Sequence, residues 1–511
     1  MAGEILVIDL FAGPGGLGEG ISSVADESGN SPFKIGISVE KEPSAHKTLT
    51  TRAFFRKLKE LDGGLDDYFR YVRGELTREE IFSLYPKQAE SASYETLEEP
   101  RALGDDNELI HARIRELLAV HQGPKVVIGG PPCQAYSLAG RSRNAGIKGY
   151  KAENDHRNFL YKEYLKVLSI AQPDVFVMEN VRGILSAKID GKVMFPQILK
   201  DLRNPGLVTG DDGVSKYKIF SLVVEAKDPK DPNYSDSSDF LIRSEYYGVP
   251  QARHRVILLG VRQDIARIPG TIFPNEETVT VEQVLSDLPP LRSGFSKQKD
   301  IQKDWEKQIR TNAQKLKRIL EKIFDRDTVG SLSLEPKLGL ERKSSQLTEI
   351  QHNIPKHLEK WYLDDHPNCV LNHETRGHMT SDLLRYAFSA AFTKVSGGIS
   401  PKARDFPAEL APEHENWATG SHADRFRTQA ANKFATTVTS HISKDGHYFI
   451  HYDPQQCRSL TVREAARLQT FPDNYLFEGN RTQQYVQVGN AVPPYLARQI
   501  GKILLGILDV D

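Results

Sequence analysis

"EILVIDLFAGPGGLGEG", residues 4–20, is the stretch on which the fold turns. Its first half is an apolar run of strand length, and an unbroken run of that kind marks a strand covered on both faces. Its second half places glycines 13, 15, 16, 18 and 20 in a turn that opens a helix. Glycine permits a tight turn and lets backbone approach a ligand closely, and a helix N-terminus favours an anionic group. "VEKE" then closes a second apolar run with Glu40, an acid placed to accept hydrogen bonds from ribose hydroxyls. Phe11 and Pro14 interrupt the glycine spacing of a dinucleotide fold. Taken alone, the stretch is a nucleotide or nucleoside-cofactor turn, and a glycine-rich packing turn is the alternative.

The same rhythm continues outward. Apolar runs recur at "FKIGISVE" (33–40), "KVVIGG" (125–130), "DVFVMENV" (174–181) and "HRVILLGV" (254–261). Helical patterns such as "NELIHARIRELLAVH" (107–121) and "RNFLYKEYLKVLSIA" (157–171) separate them. Alternation of this kind predicts an α/β fold with a mostly parallel sheet covered on both faces. The pattern stops near residue 262. The expected organisation is a first domain over 1–264, with 50–103 as a surface insertion. An irregular second domain follows over 265–455, and segment 456–511 returns to the first domain. Within the second domain, residues 297–327 are charged and helical in rhythm and read as a solvated helical face.

Composition narrows the class. The chain has 511 residues, a formal net charge of −1 and 26% charged residues. A neutral total neither requires nor excludes nucleic acid, since a basic cleft can hide within it. The only cysteines, Cys133, Cys369 and Cys457, form no disulfide framework, and a cytoplasmic protein is expected. No apolar run is long enough to span a bilayer, and the N-terminus lacks the basic start of a signal peptide.

Cys133 sits in "KVVIGGPPCQAYS" (125–137), just after a strand, with two prolines fixing the backbone before it. Burial as a small hydrophobe is the common fate of a free cysteine. A rigid corner at the carboxyl end of a strand in an open sheet is instead where a nucleophile belongs, provided that nearby cations lower its pKa. "QARHRV" (251–256) offers Arg253 and Arg255, which share a face if they lie in a strand. "VMENV" (177–181) presents Glu179 at another strand end, where a carboxylic acid can donate a proton or a hydrogen bond.

With these residues in place, the chain resembles the cytosine-5 DNA methyltransferase family of bacterial restriction-modification systems. The matching stretches run in the family's order: "DLFAGPGGLGEG", "GGPPCQAYS", "RNFLYKEYLKVL", "MENVRGIL", "YGVPQARHRV", "RSLTVREAARLQTFPD" and "QVGNAVPP". The resemblance implies a Rossmann-like methyltransferase domain and a smaller target-recognition domain. It implies methyl transfer from S-adenosyl-L-methionine to C5 of a cytosine, leaving S-adenosyl-L-homocysteine, with no metal. Cys133 would attack C6 of a flipped base. Glu179 would hold N3 and the exocyclic amine, Arg255 would contact the base carbonyl, and Arg253 would support the pocket. Phe11, Gly13, Gly15, Glu40, Leu160 and Asn490 match cofactor positions. "ALGDDNEL" offers Asp105, in preference to Asp106, as the acid that the family carries at the end of its third strand. The chain departs from the usual pattern after Cys133-Gln134, where Ala135 and Tyr136 follow.

The implied partner is double-stranded DNA, met by a monomer, and a restriction endonuclease would share the site without a stable complex. Gln134, Ser137, Arg141 and Arg143 would lie in a loop closing on DNA. Arg376 and Arg385 in "NHETRGHMTSDLLRY" (372–386) suit phosphate contact. A metal site at Cys369, His373 and His378 is the sharper alternative for that stretch, although no CxxC pair supports it. Two other readings remain: an RNA (tRNA) cytosine-5 methyltransferase, and a catalytically inactive sequence-specific DNA-binding regulator. The size of the 265–455 segment and the presence of Cys133, Glu179 and Arg255 weigh against them.

Overall fold

In the computed structural model, Ile5–Leu10 is strand β1, buried at every position. The structure describes residues 3–26, 29–132, 160–189, 191–347, 353–412, 417 and 424–508. Strand β1 lies between β2 (Phe33–Val39) and β3 (Lys125–Gly129) and runs parallel to both. Strand β4 (Val175–Val181) adds in parallel beside β3. Strands β5 (Tyr217–Phe220), β6 (Leu241–Arg243) and β7 (His254–Arg262) complete a seven-stranded sheet in which β7 pairs with β4, β5 and β6. All three of those pairings are antiparallel, so "HRVILLGV" departs from the expected parallel run. The reason is local: the chain enters β7 from β6 with Arg243 opposite His254, and so short a connection cannot hold a crossover helix.

Helix α1 (Gly16–Ser22) follows the first turn and packs against the last helix of the chain, Pro494–Leu508. The approach is close. A Cβ on Gly16 would lie 2.2 Å from the Val492 carbonyl oxygen, and one on Gly20 would lie 2.2 Å from that of Pro494.

Residues 50–103 form a helical elaboration. It comprises α2 (Pro43–Lys59), α3 (Gly64–Val72), α4 (Arg78–Leu84) and α5 (Pro86–Glu95). Phe54, Phe55, Tyr68 and Ile81 give these helices an apolar cluster of their own. A buried ion pair ties the elaboration to α1: Arg52 Nε donates to Glu19 Oε2 at 2.8 Å, and the guanidinium lies 4.0 Å over the Phe55 ring. Helix α6 (Asn107–Val120) then leads into β3.

Packing divides the chain into two units: residues 1–247, 253–275 and 491–511, and residues 248–252 and 276–490. Segment 456–490 therefore groups with the second unit, and the return expected at 456 comes at Ala491. Its arginines explain why. Arg463 donates to the carbonyls of Leu371, Pro472 and Tyr475 at 2.9, 3.1 and 2.6 Å. Arg458 makes a two-pronged pair with Glu464 at 2.7 and 2.6 Å. The second unit's main apolar core gathers Trp305, Leu316, Leu383, Phe388 and Phe426. Among the described residues no helix is long and apolar enough to cross a membrane.

Two imidazoles are sealed near the Arg458–Glu464 pair. His373 bonds Thr461 Oγ1 at 2.9 Å and the Pro289 carbonyl at 2.8 Å, and burial holds its pKa down to about 4. His451 is held down to about 3 by burial and then by Arg458. In the unfolded chain both titrate at ~6.5. Their folded values are depressed, so the stability they contribute is complete above that pH and is lost as pH falls toward 4. The midpoint of urea unfolding should therefore drop between pH 7 and pH 4.5. A midpoint that stays level across that range would contradict the burial of these rings.

Candidate active site

The first turn takes its shape from the carboxylate of Glu40. Residue Phe11 leaves β1 with φ 54, Gly13 follows at φ 58, and Gly15 caps α1 at φ 93. All three are left-handed, a conformation that costs an L side chain ~1–2 kcal/mol, so Phe11 is held there by its surroundings. Its ring packs against the main core of the sheet. The Gly13 amide donates to Glu40 Oε2 at 2.8 Å, and the Glu42 amide donates to Glu40 Oε1 at 2.7 Å. Burial raises the pKa of Glu40, and those two amides oppose the rise. A Cβ on Gly13 would meet nothing within 4 Å, which leaves an open cradle above the turn.

Asp9 in β1 opens the family-matching stretch "DLFAGPGGLGEG", although no site role was expected of it. It is 1% exposed, and neither carboxyl oxygen has a hydrogen-bond partner among the described residues. Burial raises its pKa to about 8; Arg56 opposes the rise, and Glu40 and Glu95 add to it. Its Oδ2 would lie 2.9 Å from a Cβ placed on Gly18 of α1, so the carboxyl faces the helix that the glycine turn opens. An orphaned buried carboxyl near Glu40 is an unsatisfied group at this end of β1. The signal was an aspartate inside an otherwise apolar strand.

The other cofactor expectations fall around this turn or apart from it. Residues 102–106 form a turn before α6, and no strand is found there among the described residues. Asp106 accepts the Ala102 amide at 2.7 Å, while Asp105 is exposed. Leu160 opens helix α7 (Leu160–Ala171) and is buried. Asn490 closes the helix Arg481–Asn490 in the second unit and is exposed.

At the ends of β3 and β4 the residues are tied together. Asn180 Nδ2 donates to the Pro131 carbonyl at 3.0 Å. A Cβ on Gly130 would lie 2.8 Å from Glu179 Oε2, so the turn runs close against the carboxylate. Glu179 pairs with Arg255, Nε to Oε1 at 2.7 Å, with both side chains 13% exposed. The antiparallel register brings the two together. Val181 lies opposite Arg255 and Glu179 opposite Ile257, so the start of β7 reaches the edge where the parallel strands end. Arg253 precedes β7 and is fully buried; burial and then Arg255 lower its pKa, with Glu179 opposing. The structure thus brings Glu179, Arg253 and Arg255 together beside Pro131. Cys133, Gln134, Ser137, Arg141 and Arg143 lie outside the described residues.

The arginines expected on DNA are engaged within the second unit. Arg376 donates to the carbonyls of Lys444 and Ile442 at 2.9 and 2.7 Å and lies 4.4 Å over the Tyr485 ring. Arg385 donates to the Leu410 carbonyl and to Asp382, each at 2.8 Å. Their guanidiniums close loops of the protein. Among the described residues no group of three or more His, Cys, Asp or Glu side chains could hold a metal ion; His373 and His378 are occupied by Thr461 and Tyr386.

Comparison with known proteins bears on all of this. Residues 93–505 match the family described as C-5 cytosine-specific DNA methylase. The type II methyltransferase M.Bpa9945I of Bacillus paralicheniformis is 33% identical over 532 aligned residues, covering 99% of each chain. The DNA (cytosine-5-)-methyltransferase M.ApeKI of Aeropyrum pernix is 26% identical over 75% of this chain and 81% of its own. Among solved structures, a candidate DNA modification methyltransferase encoded within an E. coli prophage shares the fold. Its TM-score is 0.53 and its identity 19%, and the match covers 99% of both chains.

Two glycines of the turn should separate binding from folding. Gly13→Ala adds a methyl to the open cradle and costs about 1 kcal/mol of backbone strain. It should weaken S-adenosyl-L-homocysteine binding at least tenfold by calorimetry. Gly16→Ala drives a methyl into the Val492 carbonyl and should instead lower unfolding stability by about 1–3 kcal/mol. Equal effects of the two on binding would remove the cradle from the site.

Proposed function

The chain belongs to the C-5 cytosine-specific DNA methylase family, and on that premise we propose how this DNA (cytosine-5-)-methyltransferase works. It modifies one cytosine within a specific double-stranded sequence, using S-adenosyl-L-methionine and a transient bond from Cys133 to the base. It serves as the modification half of a restriction system. The observation that carries the reading is the Glu179–Arg255 pair at 2.7 Å, set against Gly130 and Pro131 on the turn that leads to Cys133.

Cytosine C5 is a poor nucleophile. Attack by the Cys133 thiolate forms an Sγ–C6 bond, breaks the C5–C6 double bond and leaves electron density at C5. Glu179, as a carboxylic acid, would give its proton to N3 as electron density builds on the ring, and Arg255 would hold the carboxylate that results. S-Adenosyl-L-methionine, when bound, supplies an electrophilic methyl group. Methyl transfer would release S-adenosyl-L-homocysteine; a base such as water would then take the C5 proton, the C–H pair would re-form the C5–C6 double bond as the Cys133 thiolate leaves, and N3 would return its proton to Glu179. This splits one hard substitution into addition and elimination. The face of the ring must be reached, so the base leaves the stack at a cost of ~a few kcal/mol.

The first turn suits the donor. Glu40 offers carboxylate oxygens to ribose hydroxyls, Gly13 leaves room for the ligand, and Phe11 supplies an apolar wall. The buried carboxyl of Asp9 gains from a cationic ligand beside it, which would favour its ionised form.

Labelled S-adenosyl-L-methionine given with duplex DNA or with tRNA should mark 5-methylcytosine in DNA; label on tRNA alone would overturn the reading. Cys133→Ser should abolish transfer and leave S-adenosyl-L-homocysteine binding intact, and duplex bearing 5-fluorocytosine at the target should stay joined to the wild-type protein in denaturing gels. Glu179→Gln should lower kcat by about 10²–10⁴-fold in single-turnover assays, with DNA binding retained. Full turnover by Cys133→Ser would end the covalent account.

A further inference from the structure

Helix α8 (Gln302–Leu320) in the second unit buries one face and leaves along another a stripe of basic side chains, bounded at its C-cap by Glu321. Trp305, Ile309, Leu316, Ile319 and Leu320 face the core. At 3.6 residues per turn, Lys303, Lys307, Arg310, Lys317 and Arg318 fall along the opposite side, and all five are exposed. None of the five makes an ion pair or a side-chain hydrogen bond among the described residues.

Glu321, the C-cap residue, closes the C-terminal end of the stripe, and the other nearby carboxylates are turned elsewhere. Glu306 accepts the Gly339 amide at 3.1 Å and the Gln302 side chain at 3.3 Å. Asp300 holds Arg292 at 2.8 Å and Arg342 at 3.3 Å. Asp304 lies about a quarter turn round the helix from the middle of the stripe. On the flank, Lys315 pairs with Glu409 at 3.3 Å, which shows that this helix can neutralise a cation where an acid is supplied. Lys303 and Lys307 are spaced i, i+4, and Lys307 and Arg310 are spaced i, i+3; like charges at these spacings repel and weaken a helix. A face kept only for solubility would gain from Glu–Lys alternation. The whole chain carries a net charge of only −1, so the stripe is a local concentration of charge and not part of a general surplus.

Resting on the DNA-methylating function proposed above, we propose that this face of α8 binds the sugar-phosphate backbone of duplex DNA. From Lys303 to Arg318 the stripe runs about 22 Å at 1.5 Å per residue. Duplex DNA presents one negative charge per ~1.7 Å of its axis, so several phosphates fall within that reach. Flexible lysines and arginines with no partner among the described residues match a polyanion with regularly spaced charge. They also match binding that is indifferent to base sequence, since phosphates carry none.

The test uses the full-length protein and random-sequence duplex DNA. Lys303, Lys307, Arg310, Lys317 and Arg318 are all changed to Gln, a residue that keeps helix propensity. Circular dichroism and thermal melting check the fold. The slope of log K against log salt should become shallower by about 0.9 for each phosphate that the protein no longer neutralises, and Kd at ~0.1 M salt should rise at least tenfold. The variant K303R/K307R/K317R should retain the wild-type slope. Should the fivefold variant fail to fold, K303Q/K307Q/R310Q is read in its place, with a smaller shift in the same direction. A folded variant whose slope and Kd equal those of the wild type overturns the inference. Methyl transfer to DNA by the wild type is a separate readout: its absence would strike the proposed function, whereas an unaltered slope with transfer intact strikes only the role of this helix.

Discussion

The ion pair between Arg255 and Glu179 exists because two strands of opposite direction share hydrogen bonds over seven register positions. Had β7 run parallel to β4, its first residues would lie at the far edge of the sheet, away from the ends of β1 and β3. Reversal at β6 puts those first residues where the parallel strands finish. Two rigid features then close around the pair. Gly130 runs close against the carboxylate, and Asn180 holds the Pro131 carbonyl. The chain therefore leaves β3 in one direction only, with the carboxylate and two arginines already in place.

The first turn works by a different balance. Two carboxyl groups, Glu40 and Asp9, lie near each other at the end of β1, and burial raises the pKa of both. Glu40 is compensated by two backbone amides. Asp9 has no such compensation, and charging it is correspondingly unfavourable. The two acids at this end of β1 are thus unequal: one is satisfied by backbone and the other is not.

Much of this was legible in the residues. The apolar runs marked five of the seven strands, and the glycines marked the turn, because both signals are local. Glu179 and Arg255 were legible as chemistry, but their pairing was not, since strand direction depends on a short connection distant in sequence from β4. Asp9 stayed hidden because an acid in an apolar run reads as a blemish until its lack of partners is seen. The loop bonds of Arg376 and Arg385 were hidden for a related reason. Arginine in an irregular polar stretch resembles a phosphate ligand, yet here it satisfies carbonyls that the loops leave without partners. The same rule buries Arg458, Arg463 and Arg467, which a helical pattern alone would place in water. The boundary near 456 was missed because those buried arginines, and not the apolar pattern, hold that segment to the second unit.

The close seat of Gly16 and Gly20 on residues 492–497 has a consequence for synthesis. The ribosome finishes the sheet early, but the helix that covers α1 emerges only after residues 276–490 have been made. At ~5–20 residues per second the nascent sheet waits on the order of ten seconds or more with one flank bare. During that interval the face of α1 that carries Gly16 and Gly20 waits without the segment that will pack on it.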